Sequence, residues 1–290
     1  MPISATDLIL NSDGSVYHLH LLPHQIADDI IVVGDPERVP LVSKYFDSIE
    51  YQIHKREFVT HTGFIDDHRI TVISSGIGTD NVDIVINELY ALANIDLKTR
   101  EVNKIHKQLN IIRIGTSGGI QTDVAVDSFF ISKAAIGIDA LNDFYNFNQS
   151  ETDNEICKNL KTYLSIQTLP YFAHCSEELF SKFSENSGLN TQFGLTLTCP
   201  GFYAPQGRII NYSVKNNQFL QQLTDYNFDC VKLSNLEMET AGWYAFSALF
   251  GFKCLSLNAI LANRTLNQFS QNPEKQIDKL IRWTLQVITS

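Results

Sequence analysis

The stretch Ile30-Ile31-Val32-Val33-Gly34-Asp35-Pro36-Glu37-Arg38 sets the expected fold class. Four β-branched residues run into a glycine, and a proline stands where a helix can begin. The segment therefore predicts a buried strand, a tight turn and a helix N-terminus. Such a junction presents backbone N–H groups and the positive end of a helix dipole to an anion, with Arg38 close by in the first turn. The pattern is not a Walker loop, because no Gly-Lys-Ser/Thr follows, and it is not Gly-x-Gly-x-x-Gly. Taken alone, an ordinary strand-to-helix turn reads the same way.

Working outward, apolar strand candidates recur near 68–74, 111–114, 128–138, 193–199 and 254–261. Between them lie helical patterns, clearest where Val82, Val85, Ile86, Leu89 and Ala93 fall at helical spacing. A last helix is expected to start around Asn272-Pro273 and to bury Ile277, Leu280, Ile281, Leu285 and Ile288. This is an α/β pattern. The chain has 290 residues, 44% of them apolar, enough for a substantial core. No Pro/Ser-rich linker or repeat divides it, so one domain over 1–290 is expected.

A net charge of −10 argues against broad binding to nucleic acid or anionic membranes. No signal-peptide pattern and no run of about 18 apolar residues is seen. The cysteines (157, 175, 199, 230 and 254) are odd in number and widely spaced, without CxxC or zinc spacing. Reduced thiols and a cytoplasmic location are expected.

Four further segments carry candidate chemistry. In Ile111-Ile112-Arg113-Ile114-Gly115-Thr116-Ser117-Gly118-Gly119-Ile120, an arginine lies inside an apolar strand, which is costly without a partner. Small residues follow that let a ligand approach the backbone, so Arg113, Thr116 and nearby amides suit a phosphate; an edge-strand Arg before a flexible loop is the plain alternative. Gly201-Phe202-Tyr203-Ala204-Pro205-Gln206-Gly207-Arg208 combines an aromatic ring, a carboxamide and a guanidinium. Gln206 and Arg208 match the donor/acceptor edge of uracil, with Phe202 offering a face or edge, although such a turn is usually just solvated. Asn235-Leu236-Glu237-Met238-Glu239-Thr240-Ala241-Gly242 precedes an apolar helix that stops at Gly251. Its carboxylates either complement the helix dipole or accept bonds from a vicinal diol while Met238 packs on a sugar. His54-Lys55-Arg56-Glu57-Phe58 reads as a charged cluster opening a strand.

These segments occur in collinear order with VYHL at 16–19, SSGIGTDN at 74–81 and Asn263-Arg264. Together they resemble the nucleoside phosphorylase-I family, most closely its uridine phosphorylases. The resemblance implies a single α/β domain with a central mixed, partly barrel-like β-sheet flanked by helices. It implies phosphorolysis of uridine to uracil and ribose 1-phosphate. By the same resemblance phosphate is held by Gly34, Arg38, Arg113 and Thr116, with Arg56 from a neighbouring subunit. Ribose is held by Met238 and Glu239, supported by Glu237, with His18 from the partner. The base is held by Phe202, Gln206 and Arg208, with Arg264 behind them through water. Catalysis would rest on Arg113, Glu239, Arg208 and Gln206.

No metal or organic cofactor is implied, since inorganic phosphate is a substrate. Some members hold a monovalent cation, potassium, at positions matching Glu57, Ile77 and Asn81; Asp80-Asn81 stands where many relatives carry Pro-Ser, which puts that site in doubt. The implied assembly is a homodimer or homohexamer with shared active sites. Two other departures are a longer polar insert over about 96–110 and Leu236 where some relatives have Tyr. Purine-cleaving relatives place an Asp after the penultimate strand, whereas here that strand leads into Ala262-Asn263-Arg264. Uridine-type substrates therefore fit better. The alternatives are a purine nucleoside phosphorylase or nucleosidase of the same fold, or a non-catalytic nucleoside-binding protein.

Overall fold

The structure, a computed structural model, describes residues 2–187 and 190–290. Its strands are β1 (Asp29–Val33), β2 (Ser48–Lys55), β3 (Phe58–Ile65), β4 (His68–Ser74), β5 (Ile95–Asp96), β6 (Glu101–Val102), β7 (Asn110–Gly119), β8 (Phe129–Gly137), β9 (Tyr171–His174), β10 (Thr191–Thr198), β11 (Leu233–Glu237), β12 (Lys253–Asn263) and β13 (Gln268–Phe269). Its helices are α1 (Arg38–Ser43), α2 (Thr79–Asn94), α3 (Glu151–Leu164), α4 (Glu177–Glu185), α5 (Phe219–Asp225), α6 (Thr240–Phe250) and α7 (Pro273–Thr289).

All strands except the β5–β6 hairpin join one 11-stranded mixed sheet. The sheet closes on itself, because β7 pairs with β12, β12 with β8, β8 with β10, β10 with β11, and β11 again with β7. Strand β7 makes this possible by being long. Along one edge it pairs with β12 from Asn110 to Gly119. Along the other it pairs with β1 over Asn110–Ile114 and with β11 only at Gly118 and Gly119. The wing β1-β4-β3-β2 thus leaves the barrel at one half of β7, and β11 closes it at the other. The outcome is the mixed, partly barrel-like α/β domain that the resemblance implied.

The buried run Ile30-Ile31-Val32-Val33 forms β1 as expected, flanked on both sides by parallel partners. Helix α1 starts at Arg38, two residues later than Pro36 suggested, because the Asp35 carboxylate accepts the Glu37 N–H and holds the intervening turn. Helix α2 buries Val82, Val85, Ile86, Leu89 and Ala93, and α7 begins at Pro273 after Asn272, as its sequence indicates. The cluster His54–Phe58 opens β3 at Phe58 as expected, and it also spans the turn of the β2–β3 hairpin, whose register pairs Lys55 with Phe58. One alternative is set aside. The small residues after Ile114 are not a loop but the second half of β7, held extended by β12. The 96–110 insert contains the β5–β6 hairpin and then a segment fastened by Asn94, whose side chain accepts the Lys107 N–H and donates to the Lys107 carbonyl. Among the described residues no helix is long and apolar enough to cross a membrane.

Candidate active site

A cleft of about 700 Å³ opens where the carboxyl ends of β1, β4, β11 and β12 meet the second half of β7 and the segment after β10. That size suits a small-molecule ligand. The segments named from sequence converge on it: Gly34 and Arg38, Arg113 and Thr116, Phe202, Gln206 and Arg208, and Glu237, Met238 and Glu239 all line its wall.

One end is organised around Arg113, which is 4% exposed. Its Nη2 donates to Glu239 Oε2 at 2.5 Å and lies 3.0 Å from Glu237 Oε2. Its Nη1 donates to Asn258 Oδ1 (3.0 Å) and Ser256 Oγ (3.2 Å), both on β12. The strand arginine is thus no edge residue: its charge is matched by two carboxylates inside the barrel, and Nε–H has no partner among the described residues. Burial opposes the Arg113 charge, but Glu237 and Glu239 outweigh it and raise its pKa.

Arg113 lies back along its own strand. A Cβ on Gly115 would sit 2.1 Å from Arg113 Nη1, so only glycine at 115 lets the guanidinium occupy this place. Residues two apart on a strand share a face, which explains why the requirement falls at that position.

The carboxylates have separate tasks. Glu237 ends β11 and caps α6: Oε2 accepts the N–H groups of Glu239 and Thr240 (2.9 Å each), and Oε1 accepts the Thr198 hydroxyl (2.6 Å). It satisfies donors at a helix N-terminus while facing Arg113. Glu239 reaches the other way, and its Oε1 accepts the Gly78 N–H at 2.8 Å. Gly78 has φ +94°, a conformation that favours glycine. Burial pushes the Glu239 carboxyl upward, against the pull of Arg113. A carboxylate has about four acceptor sites, so roughly two remain on Glu239 for a ligand.

Beside this group, Gly34 and the half-buried Arg38 close the wall, with Arg38 Nη1 donating to the Ile114 carbonyl at 3.3 Å. Desolvation pushes the Arg38 pKa down from its ordinary value. Arginine, glycine and the Thr116 hydroxyl here offer charge-assisted donors for an anion.

The opposite end is a single turn. Ala204–Gln206 form a 3-10 turn closed by Gly207 at φ +69°. Arg208 then folds back: Nη1 donates to the Phe202 carbonyl (2.6 Å) and to Gln206 Oε1 (2.5 Å), and the guanidinium carbon lies 3.7 Å from the Phe202 ring centroid. Gln206 is buried, while Phe202 is 51% exposed. Burial, with Arg264 nearby, pushes the Arg208 pKa down to about 10, which leaves it a cation at neutral pH. Arg264 is not among the residues lining the cleft but stands behind this turn, its Nη1 donating to the Gln206 carbonyl at 3.1 Å.

Two sequence candidates lie apart from this cleft. His18 is held by Glu88, with Nδ1 2.7 Å from Oε1. Arg56 sits in the β2–β3 turn over the Tyr17 ring, at φ +56°, which costs a non-glycine residue about 1–2 kcal/mol. Neither is among the residues lining the cleft. Glu57, Ile77 and Asn81 do line its mouth, where Asn81 Nδ2 donates to the Ile77 carbonyl at 3.3 Å. At the end of β12, Leu261 and Ala262 face the cleft, while Asn263 donates to the carbonyls of Gln121 and Val124.

Sequence reasoning missed Ser256, Asn258 and Thr198, which hold the central group. Their signal was available: polar residues recur at spacing two within strands that are otherwise apolar, the mark of a polar inner face.

A uridine phosphorylase of Thermococcus kodakarensis is 28% identical over 267 residues, covering 91% of this chain and 83% of the relative. A uridine phosphorylase of Haemophilus influenzae is 27% identical over 278 residues, 92% of this chain and 96% of the relative. A DeoD-type purine nucleoside phosphorylase of Listeria welshimeri is 25% identical over 242 residues, covering 83% and 84%. Among solved structures, a Trypanosoma brucei nucleoside phosphorylase described as showing uridine phosphorylase activity superposes with a TM-score of 0.89 at 25% identity, covering 98% of this chain and all of the other. The family described as the phosphorylase superfamily matches residues 28–288. With that match spanning nearly the whole chain, the chain belongs to the phosphorylase superfamily.

Proposed function

We propose that the chain is a pentosyltransferase of the uridine phosphorylase type, cleaving uridine with inorganic phosphate to uracil and ribose 1-phosphate. The observation that carries this reading is that Gln206 and Arg208 stand in the same cleft as Arg113, Glu239 and Arg38. A site for a carbonyl-bearing heterocycle, a diol acceptor and an anion cradle are therefore contiguous.

In this reading a phosphate oxygen attacks C1′ as the glycosidic bond breaks and its electron pair leaves with the base. Phosphate beside Arg38 and Arg113 stabilises the positive charge on the sugar and is oriented for attack. The free acceptor sites of Glu239 take the ribose diol, and Met238 packs against the ring. Gln206 and Arg208 take up negative charge on the departing uracil, in the manner of an oxyanion site. No metal or organic cofactor enters these steps. Arg56 and His18, which do not line their own cleft, would serve a neighbouring copy in a homodimer or homohexamer, and a monovalent cation such as potassium would sit near Glu57, Ile77 and Asn81.

Uridine is favoured over purine nucleosides because Leu261, Ala262 and the turned-away Asn263 leave no carboxyl at the end of β12 to protonate a purine. The similarity to DeoD-type purine nucleoside phosphorylases keeps inosine as the competing substrate to test. The deciding assay is uridine and inosine cleavage with and without phosphate, scoring free base and ribose 1-phosphate. Phosphate-dependent release of uracil and not hypoxanthine is expected. Release of hypoxanthine overturns the base assignment, and cleavage without phosphate makes the protein a nucleosidase.

A further inference from the structure

The barrel interior holds an unbroken chain of buried polar side chains that starts on Arg113. Arg113 Nη1 donates to Asn258 Oδ1 (3.0 Å), and Asn258 Nδ2 donates to Ser132 Oγ (3.4 Å). Ser132 Oγ is 2.6 Å from Thr196 Oγ1. Thr196 Oγ1 donates to Asn235 Oδ1 (2.8 Å), and Asn235 Nδ2 donates to Ser117 Oγ (2.8 Å). Asn258, Ser132, Thr196 and Asn235 are each 0% exposed.

The direction of the first two bonds follows from Arg113, and that of the rest from the Asn235 amide, which turns Oδ1 toward Thr196 and Nδ2 toward Ser117. A guanidinium only donates, so Asn258 must turn Oδ1 toward it and Nδ2 away. Thr196 spends its hydrogen on Asn235, so Ser132 donates to Thr196. The reversed Asn258 amide would set two donors face to face, and Ser132 would lose the donor it accepts from. The interiors of small barrels are ordinarily filled by packed side chains, and apolar ones would avoid the desolvation cost of this chain. A fully connected network in a low-dielectric interior is instead rigid.

We propose that Asn258 is a positioning residue for Arg113. Locked by the Ser132-Thr196-Asn235 chain, it holds Nη1 on the β12 side while Glu237 and Glu239 hold Nη2. The guanidinium then has one orientation, with Nε–H free for the anion. Without Asn258 the group is tied on the carboxylate side and by Ser256 alone. This rests on the reading of the cleft as a phosphate-using site.

The test is calorimetric binding of inorganic phosphate to the whole protein without nucleoside, followed by separate KM values for phosphate and uridine. Asn258→Leu keeps the volume and removes the amide's bonds to Arg113, Ser132 and Ser256; phosphate Kd is expected to rise about tenfold, the worth of a hydrogen bond to a charged group. The phosphate KM should rise more than the uridine KM. Ser132→Ala, one link further on, should raise phosphate Kd by about threefold and serves if Asn258→Leu does not fold. Asn94→Ala, a buried asparagine whose side chain among the described residues bonds only Lys107, is the control and should lower Tm without moving phosphate Kd. Unchanged phosphate affinity in a folded Asn258→Leu or in Ser132→Ala, or an equal rise in both KM values, overturns the proposal. If the wild type binds phosphate but cleaves no nucleoside while Asn258→Leu weakens that binding, the phosphorylase reading fails and the role of Asn258 stands. If the wild type cleaves uridine and Asn258→Leu matches it, the reverse holds.

Discussion

At the Arg113 end of the cleft the side chains are almost sealed, with Arg113 and Glu237 at 4% exposure and Glu239 at 6%, whereas at the Arg208 end Phe202 and Tyr203 are each 51% exposed. The first end is assembled from β7, β11, β12 and the turn before α2, and its charges are fixed by partners from several strands. The second is one turn whose contacts are mostly internal, Arg208 binding Phe202 and Gln206, with Arg264 as the anchor from outside. The difference teaches that the end proposed to hold phosphate and ribose is built into the core, while the end proposed to read the base is an attachment to it. Damage to the first should cost stability and activity together; damage to the second should cost activity alone.

The sharpest way to break this contrast is Arg113→Ala. It leaves two buried carboxylates facing each other, so a loss of about 3–5 kcal/mol in urea unfolding is expected, together with loss of turnover. A fully stable variant would show that the inner end is not held by charge pairing. Arg208→Ala comes next. Its kcat/KM for uridine should fall on the order of 10²–10³-fold, as when one oxyanion donor is lost. Stability should shift by less than about 1 kcal/mol, and wild-type rates would remove Arg208 from the base site.

Gly115→Ala sharpens the comparison from within the inner end, since a methyl would displace the Arg113 guanidinium. Overpacking of this kind costs about 1–3 kcal/mol, and the phosphate KM should rise more than the uridine KM. The smallest effect is expected for Phe202→Ala. Loss of an exposed cation–π contact with Arg208 is worth about 0.5–1 kcal/mol, which would show as a few-fold rise in uridine KM without a change in Tm.

The segments that were legible from sequence are those whose chemistry is local. Ile30–Val33, His68–Ser74 and Lys253–Asn263 are apolar enough to be recognised as strands, and the spacing in α2 and α7 announces their buried faces. Strand β2 was not anticipated, because it alternates between exposed and half-buried residues and carries little apolar signal. Strand β11 was hidden by the carboxylates at its end. The residues after Ile114 looked like a loop because glycine and small hydroxyls are poor strand formers, and pairing with β12 overrides that preference. In the site, Gly34, Arg38, Arg113, Thr116, Gln206, Arg208, Met238 and Glu239 were all named from their motifs. Ser256, Asn258 and Thr198 were not, since a polar residue in an apolar strand has no visible partner until the barrel closes.

By itself the sequence determined the α/β class, the family and the set of groups available for an anion, a diol and a heterocycle, because motif spacing and residue chemistry are written along one dimension. Only the tertiary structure decided which of those groups meet. Closure of β7 against both β12 and β11 brings Arg113, Asn258, Glu237 and Glu239 together across large separations in the chain, and it leaves His18 and Arg56 outside the cleft of their own chain. The physical reason is that an ion pair or hydrogen bond acts over a few ångströms, and strand pairing, not chain order, sets those distances.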